Sequence, residues 1–566
     1  MFQKFMSQIK FDKFNKKLKI IIFIIFGIII TQIITAYWFN YIAVKQLEKQ
    51  FVEFTNNPMI KVIKHDVHKG LFGIVQTNEI AVNDAIISNI IDMFNKKPAT
   101  NTANNITHQQ NSSTQGSTPH SISSDYSKYS IKFTTKVSSG ILAALFHGYF
   151  APSLAYAKTE IEYSSKLKNI LDKFFDKKSP LKIINILYLN KNGRYIIQSP
   201  SFKYEEAVSG LKVFWGGLDY NINYNSSFTH FNNKLLIPNA EIKIPNTINL
   251  NVSKLQYESN ISNSDNTLKV GNKNLSIDNI LVDLQDSIIL NLKLGDIISN
   301  LTGINSAQIL NSIDVINPSK FTLNGLYYQS KSQDIDGFFD FKAYSGFNQL
   351  TSNEVHYGPL TLDLQLSHIL SKSLSKLLDD LTKLSESQIK TTHLDSNNNI
   401  SNNINPGTSD NGDNNSLEQQ FINIIMQHAK DIFLNQPQFK LNKFELQIPS
   451  GMVKLSVDAS IKNFKESDIN SKDALSKKLD IKFQFSTPKN VLAYLLNLQM
   501  KYLLSAGNAE MDEQSLAAFN SVVNILLDNQ INAWSKKSYI QNNNGIISGN
   551  FMLSDGELLI NNIPSK

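Results

Sequence analysis

The 566-residue chain has no cysteine and only one arginine, and each scarcity excludes a class of function. Without cysteine there are no disulfides, no thiolate zinc sites and no cysteine nucleophile. Arg194 is the sole guanidinium, although arginine is the favoured residue for contacts with phosphates and bases. Six lysines against one aspartate in residues 1–19 supply +5 of the formal charge of +7. The rest of the chain is nearly neutral and offers no basic face for nucleic acid.

The sequence also lacks the short motifs of common catalytic sites. It has no Gly-x-Ser-x-Gly elbow, no phosphate loop and no His-Glu-x-x-His. His65 and His68 would align on a helix, but their segment is typical of a strand, where odd spacing sends them to opposite faces. Glu160 and Glu162 would share a strand face, as exposed strand acids do. We therefore predict no catalytic residue, no metal site and no cofactor.

One long apolar run, residues 20–39, is interrupted by only one glycine, two threonines and Gln32. About 20 helical residues span the roughly 30 Å hydrocarbon core of a bilayer. The run ends in Tyr37, Trp38, Phe39 and Tyr41, and aromatic residues favour the membrane boundary over a signal-peptidase site. The sequence therefore predicts an uncleaved signal-anchor, with the lysine-rich N-terminus in the cytoplasm. A cleaved signal peptide and a buried core helix are the alternatives.

Two stretches rich in serine, threonine, asparagine and glutamine divide the outer part of the chain. Neither buries enough apolar surface to offset its ordering entropy, so we expect mobile loops or linkers. They also fit insertions within one fold. The predicted segments are a basic tail at 1–19, the transmembrane signal-anchor at 20–39, a first β segment at 40–95, a polar insertion at 96–128, the main β-rich region at 129–387, a polar linker at 388–415 and an α+β region at 416–566.

Alternation of apolar and polar residues dominates the remainder and predicts strands with one dry face. Asp555-Gly556 separates two alternating runs and predicts a hairpin turn with positive φ. The alternating runs fall at 242–252, 288–294, 360–366, 453–461 and 479–485.

Four helices are predicted, and they are fewer than the strands. A leucine stripe covers 370–384, a capping box at Ser416 opens a helix to about Leu434, Thr487-Pro488 opens another to about Leu504, and a fourth covers 512–534. The predicted fold class is α+β and β-rich. A single transmembrane helix precedes an extended antiparallel sheet, which a few amphipathic helices cover.

Several segments resemble the YdgA-like family of bacterial inner-membrane proteins, a family of unknown function. They are "HKGLFGIVQTNEIAV" with Gly70 and Phe72, "FHGYFAPSLAYAKTEIEY", "VFWGGLDYNINY" and "YIQNNNGIISGNFMLSDGELLINN". Tyr149 stands where the family usually has proline, which bears on the local turn. The resemblance implies a Gram-negative envelope with a periplasmic exterior, and it brings no catalytic residues.

These observations favour a non-enzymatic envelope protein over two alternatives. The bulk of the chain would lie in the periplasm and bind a partner protein, lipid or another apolar ligand through the faces at 242–252, 288–294 and 453–461. The first alternative is a periplasmic hydrolase of envelope polymers or lipids, with His147 or His356 as general base. "HGYF" and "HYGPL" each place a histidine and a glycine beside an apolar strand. The second is a scaffold that associates through Gly27.

Overall fold

The computed structural model describes residues 31–32, 35–36, 38–40, 60–70, 73–82, 130–208, 210–265, 268–284, 320–352, 354–394, 417–506 and 513–564. They form two compact units, Met1–Ser199 and Pro200–Lys566, and this boundary falls inside the region 129–387 defined by composition. Most of the apolar run at 20–39 lies outside the described residues. Among those described, no helix combines the length and the apolar character that a membrane span requires.

The first unit is an antiparallel meander in which each strand pairs with the next. Its one long described helix, α1 (Ser165–Phe175), connects β4 to β5, and the β3–β4 loop contains a 3₁₀ turn, Leu145–His147. The strands are β1 (Ile60–Lys69), β2 (Gly73–Val82), β3 (Ser130–Ser139), β4 (Ser153–Tyr163), β5 (Lys182–Tyr188) and β6 (Gly193–Ser199).

Two apolar clusters lie in the first unit. One joins Phe39 from the apolar run to Ile74, Val137, Leu154 and Ala155 of the sheet. The other surrounds the β3–β4 loop and contains Ala143, Ala144, Tyr156, Ile184, Ile186 and Ile196. Ile184 and Ile186 share a face because strand residues two apart point the same way.

The second unit contains a much longer antiparallel sheet. Its strands are β7 (Phe202–Glu205), β8 (Lys212–Trp215), β9 (Leu218–Tyr224), β10 (His230–Ile244), β11 (Ile248–Asn263), β12 (Lys269–Leu284), β13 (Lys320–Ile335), β14 (Phe338–Phe347), β15 (Gln349–Ser352), β16 (Val355–Tyr357), β17 (Leu360–Leu370), β18 (Gln438–Ile448), β19 (Gly451–Ile461), β20 (Leu479–Pro488), β21 (Gln541–Asn543), β22 (Ile546–Ser554), β23 (Glu557–Ile560) and β24 (Ile563–Pro564). The main path of pairing runs from β9 through β10, β11, β12, β13, β14, β17, β18, β19 and β20 to β22.

The helices of the second unit lie along the later strands of this path. The helices α2 (Ser371–Leu394) and α3 (Leu417–Leu434) pack on each other and on β17, whereas α4 (Lys472–Ser476) is a single turn. The helix α5 (Lys489–Ala506) packs on β19 and β20, and α6 (Glu513–Lys536) packs on α5 and β21. Leu527 and Ile531 of α6 form a buried cluster with Ile540 and with Ile547 of β22.

The predicted β-rich architecture with few helices is confirmed, and so is each alternating run that falls on described residues. The run at 242–252 is divided between β10 and β11 by the turn 245–247, and the run at 288–294 lies outside the described residues. Asp555 and Gly556, with φ of 53° and 81°, turn β22 into β23 as the hairpin motif requires. Residues 388–394 belong to α2 rather than to the predicted linker.

Candidate functional site

Ten strands of the second unit carry one row of mostly apolar side chains across one face of the sheet. Directly paired residues on neighbouring strands point to the same face. At about 4.8 Å per strand, the row extends about 43 Å. We call it the central row; its members are Tyr220, Leu235, Tyr257, Leu275, Tyr328, Ser345, Leu362, Phe444, Leu455 and Phe485.

Flanking rows widen this surface on both sides of the central row. Two residues along the strands in one direction, β10–β13 add Ile237, Leu255, Ile277 and Leu326. In the other direction, β17–β20 and β22 add Leu364, Leu441, Val457, Phe483 and Phe551. The central and flanking rows together are the apolar face. The apolar face is aromatic at its β20–β22 end, where the ring centroids of Phe483, Phe485 and Phe551 lie 6.0–6.3 Å apart.

The opposite face of the same strands is polar and carries ion pairs between lysines and acids. Lys234 Nζ lies 3.2 Å from Glu258 Oε1 on the neighbouring strand, and Lys440 Nζ lies 3.2 Å from Asp458 Oδ2. These side chains alternate with members of the apolar face, because Lys234 adjoins Leu235. The sheet therefore presents one hydrated surface and one apolar surface.

The apolar face is only partly covered by the described residues. Apart from the buried Ile277, every member of the central and flanking rows is half-buried. The described helices pack mainly on β17 and β19–β21, where Phe485 meets Leu492 and Ala493 of α5. Over β9–β13 the central row keeps part of its surface exposed, although apolar strand faces are usually buried against a second layer.

One tyrosine at the β9 end of the central row, Tyr220, is partly removed from water. Partial removal from water raises the pKa of Tyr220, and the neighbouring Tyr257 phenol adds to this increase. Tyr220 and Tyr257 flank Leu235, since β10 lies between their strands. The phenol of Tyr220 is therefore partly shielded from water beside Leu235.

The two histidines that sequence reasoning offered as general bases lie in different units. His147 stacks on Tyr156, with ring centroids 4.1 Å apart, and its Nε2 lies 3.2 Å from Ser138 Oγ. His356, in β16, has its Nδ1 3.0 Å from Thr351 Oγ1. Among the described residues, no carboxylate completes either pair as an orienting acid, which a histidine base that activates a hydroxyl commonly has.

The remaining residues considered for chemistry serve the first unit's sheet. His65 and His68 lie in strand β1 as predicted, and within the described ranges no group of three or more potential ligands could hold a metal. Glu160 and Glu162 lie on β4 as predicted strand acids. They accept from Lys136 at 2.7 Å and Lys132 at 2.8 Å on β3, and the Lys136 hydrogen bond lowers the pKa of Glu160. Arg194 lies at the start of β6 and pairs with Ile186 of β5.

One polar pair was missed by sequence reasoning. His428 of α3 is 5% exposed, and its Nε2 lies 3.0 Å from Asp380 Oδ2 on α2. Asp380 also accepts from Lys383 at 3.0 Å, and this hydrogen bond, followed by that of His428, lowers the pKa of Asp380. The partners are 48 residues apart, so no local spacing signals the contact. The pair ties two helices together.

Comparison with known proteins gives a family without an assigned activity. No curated protein and no solved structure matches the sequence. One family model, described as a bacterial protein of unknown function (DUF945), matches residues 15–565, which is nearly the whole chain. The chain therefore belongs to the DUF945 family of bacterial proteins of unknown function.

Proposed function

We propose that the protein is a non-catalytic, single-pass inner-membrane protein whose second unit binds an extended apolar ligand, a lipid acyl chain, along the apolar face. One observation carries this proposal. The central row runs unbroken in register across ten strands, but its side chains are only half-buried. A face that merely formed the core would be covered along its length, and a ligand-binding face keeps accessible apolar surface.

The chemistry of the face suits a flexible hydrocarbon better than a folded partner protein. Its members are aliphatic or aromatic apart from Ser345, and Lys273 borders the face two residues from Leu275. The ion pair between Lys234 and Glu258 lies on the opposite face. Each buried methylene contributes about 0.8 kcal/mol, so ten methylenes laid along the row would gain about 8 kcal/mol before the cost of association. A partner protein, which needs a polar rim with hydrogen bonds, is the second occupant that the test below addresses.

The proposed membrane placement rests on three features of the sequence. The lysines of residues 1–19, the apolar run at 20–39 and the aromatic residues at its end support an anchor with a cytoplasmic N-terminus. The likeness to the YdgA-like family supports a Gram-negative inner membrane with both units in the periplasm. Anchoring in this membrane would keep the apolar face close to lipid, so that no soluble carrier would be needed to deliver the ligand.

The test compares two substitutions on one strand. Leu275→Asp places a carboxylate on the apolar face, and Asn274→Asp places one on the polar face of β12. Native mass spectrometry of the detergent-extracted full chain reports the phospholipid retained per molecule. We expect wild type and N274D to retain lipid equally, and L275D to lose at least nine-tenths of it while its circular dichroism is unchanged.

Two results would overturn the proposal. One is wild-type protein free of lipid, and the other is equal retention by L275D and N274D. Retention of a co-purifying polypeptide in place of lipid would identify a partner-protein surface instead. The hydrolase alternative predicts that His147→Ala or His356→Ala abolishes a cellular phenotype while the protein stays folded, whereas a lipid-binding role tolerates both substitutions.

A further inference from the structure

The β3–β4 loop of the first unit, residues 140–152, exposes large apolar side chains. Phe150 is 92% exposed, Phe146 is 73% exposed and Leu145 is 41% exposed. Such residues are usually buried, and a cluster of them on one short loop marks a surface that contacts something apolar.

Hydrogen bonds and ring stacking order the loop and hold these side chains outward. Ala144 is fully buried, and its N–H donates to Ser153 Oγ at 2.9 Å while its carbonyl accepts from Tyr149 N–H at 3.0 Å. The His147 ring stacks on Tyr156. Gly148, at φ 85°, adopts the left-handed conformation that ends the 3₁₀ turn. The phenyl rings are therefore presented on an ordered platform.

The same loop is attached to the apolar run. Gln32 Nε2 donates to the carbonyl of Ser139 at 2.9 Å, and Leu142 N–H donates to Gln32 Oε1 at 3.0 Å. Further along, Ser139 Oγ donates to Asn40 Oδ1 at 2.7 Å, and Asn40 Nδ2 donates to the carbonyl of Gly70 at 3.0 Å. Backbone groups at the end of β3 and in the loop thus pair with the amide side chain of Gln32, as a buried or membrane-embedded amide requires.

The position of Gln32 fixes the depth of the loop. Phe39 lies seven positions after Gln32, which corresponds to a rise of about 10 Å in the proposed anchor helix. The full run at 20–39 is needed to cross about 30 Å of hydrocarbon. In the proposed anchor, a loop hydrogen-bonded to Gln32 lies at the level of the acyl chains, beyond the aromatic boundary that Trp38 would mark.

We propose that residues 140–152 insert into the outer leaflet of the bilayer, where Phe146 and Phe150 contact lipid acyl chains beside the anchor helix. This inference rests on the proposed membrane anchor and adds a second attachment point. The loop and the helix together set which end of the β1–β6 meander faces the membrane.

The cysteine-free chain allows a direct test by single labelling sites. Phe146→Cys and Phe150→Cys, each labelled with a nitrobenzoxadiazole fluorophore, are reconstituted as full-length protein in phosphatidylethanolamine–phosphatidylglycerol vesicles. Val208→Cys, at a position 98% exposed in the second unit, is the aqueous control, and Ile25→Cys in the apolar run is the anchor control. Both loop side chains are exposed, so their replacement removes no core packing, and circular dichroism verifies the fold.

We expect spin-labelled lipids to quench the two loop labels at least fivefold more than the Val208→Cys label. The Ile25→Cys label should be quenched at least as strongly. If spin-labelled lipid quenches the anchor label but quenches the loop labels no more than the Val208→Cys label, loop insertion is refuted and the proposed membrane anchor is retained. Loop labels that are shielded from water yet insensitive to spin-labelled lipid would also overturn it, because protein would then cover the loop. An unquenched anchor label would refute the membrane anchor itself.

Discussion

Replacing Gly140 by alanine should detach Gln32 from the first unit. Gly140 has φ 117°, and a Cβ built there would lie 1.9 Å from Gln32 Nε2. Such a backbone conformation costs a non-glycine residue about 1–3 kcal/mol. Displacing the amide also breaks the hydrogen bonds to Ser139 and Leu142, at about 1 kcal/mol each. The expected loss is therefore about 3–5 kcal/mol in the local opening free energy.

A double-mutant cycle separates these contributions. Gln32→Ala alone removes both hydrogen bonds, so adding Gly140→Ala to it should cost only the backbone strain. The coupling free energy between the two sites should then be about 2 kcal/mol, which is roughly 30-fold in hydrogen-exchange protection. The reporter is the amide of residue 140, which donates to the carbonyl of Leu154 at 2.7 Å and keeps this acceptor in every variant. Gly148→Ala is the matched control, since it has φ 85° but no atom within 4 Å of the added Cβ.

Hydrogen-exchange mass spectrometry of the full chain in detergent measures the opening of the peptide that contains Ser139–Leu142. Gly148→Ala should lower the local opening free energy through backbone strain, and its coupling free energy with Gln32→Ala should be close to zero. If the effects of Gly140→Ala and Gln32→Ala add to within about 0.5 kcal/mol, the amide does not hold the loop and the reasoning fails.

Two further perturbations test the second unit. Ile547→Ala, at a position 1% exposed, should lower the denaturant stability of that unit by about 2–5 kcal/mol, whereas Ile546→Ala, at 41% exposed, should cost less than about 1 kcal/mol; similar losses would contradict the core assignment. The Lys383 and His428 hydrogen bonds depress the pKa of folded Asp380, so its contribution to stability is present above the unfolded pKa of about 4 and is lost as pH falls through the folded pKa. We therefore expect Asp380→Asn to change the pH at which the amides of α2 and α3 lose half of their hydrogen-exchange protection. An unchanged midpoint pH would exclude a contribution of Asp380 ionisation to stability.

The strands were predictable because a sheet with one dry face imposes a period of two on the sequence. That signal located β17, β19 and β20 to within a few residues, and the Asp555-Gly556 turn located the last hairpin. The predicted run at 242–252 supplies no member of the central row. The row could be anticipated only as the strand faces that contain Leu362, Leu455 and Phe485. Its continuity could not, because register between strands depends on turns and bulges, such as the extra residue that shifts β18 against β17.

Contacts between distant segments lay beyond sequence reasoning. Gln32 and Ser139 are separated by 107 positions, and nothing in the apolar run marks Gln32 as a hydrogen-bonding residue rather than an interruption. Leu145, Phe146 and Phe150 read as ordinary core residues beside a strand, because local periodicity cannot tell which loop side chains turn outward. Asp380 and His428 meet only when two helices pack.

Pairing between strands that are close in sequence has a consequence for how the second unit is assembled. Along the path from β9 to β20, each new strand adds to the edge left by an earlier one, so pairing can advance in the order of synthesis. Residues 285–319 intervene between β12 and β13, yet the cost of closing a loop grows by only about 0.6 kcal/mol for each doubling of its length. A polypeptide delivered progressively from its N-terminus could thus build its sheet without waiting for its C-terminus.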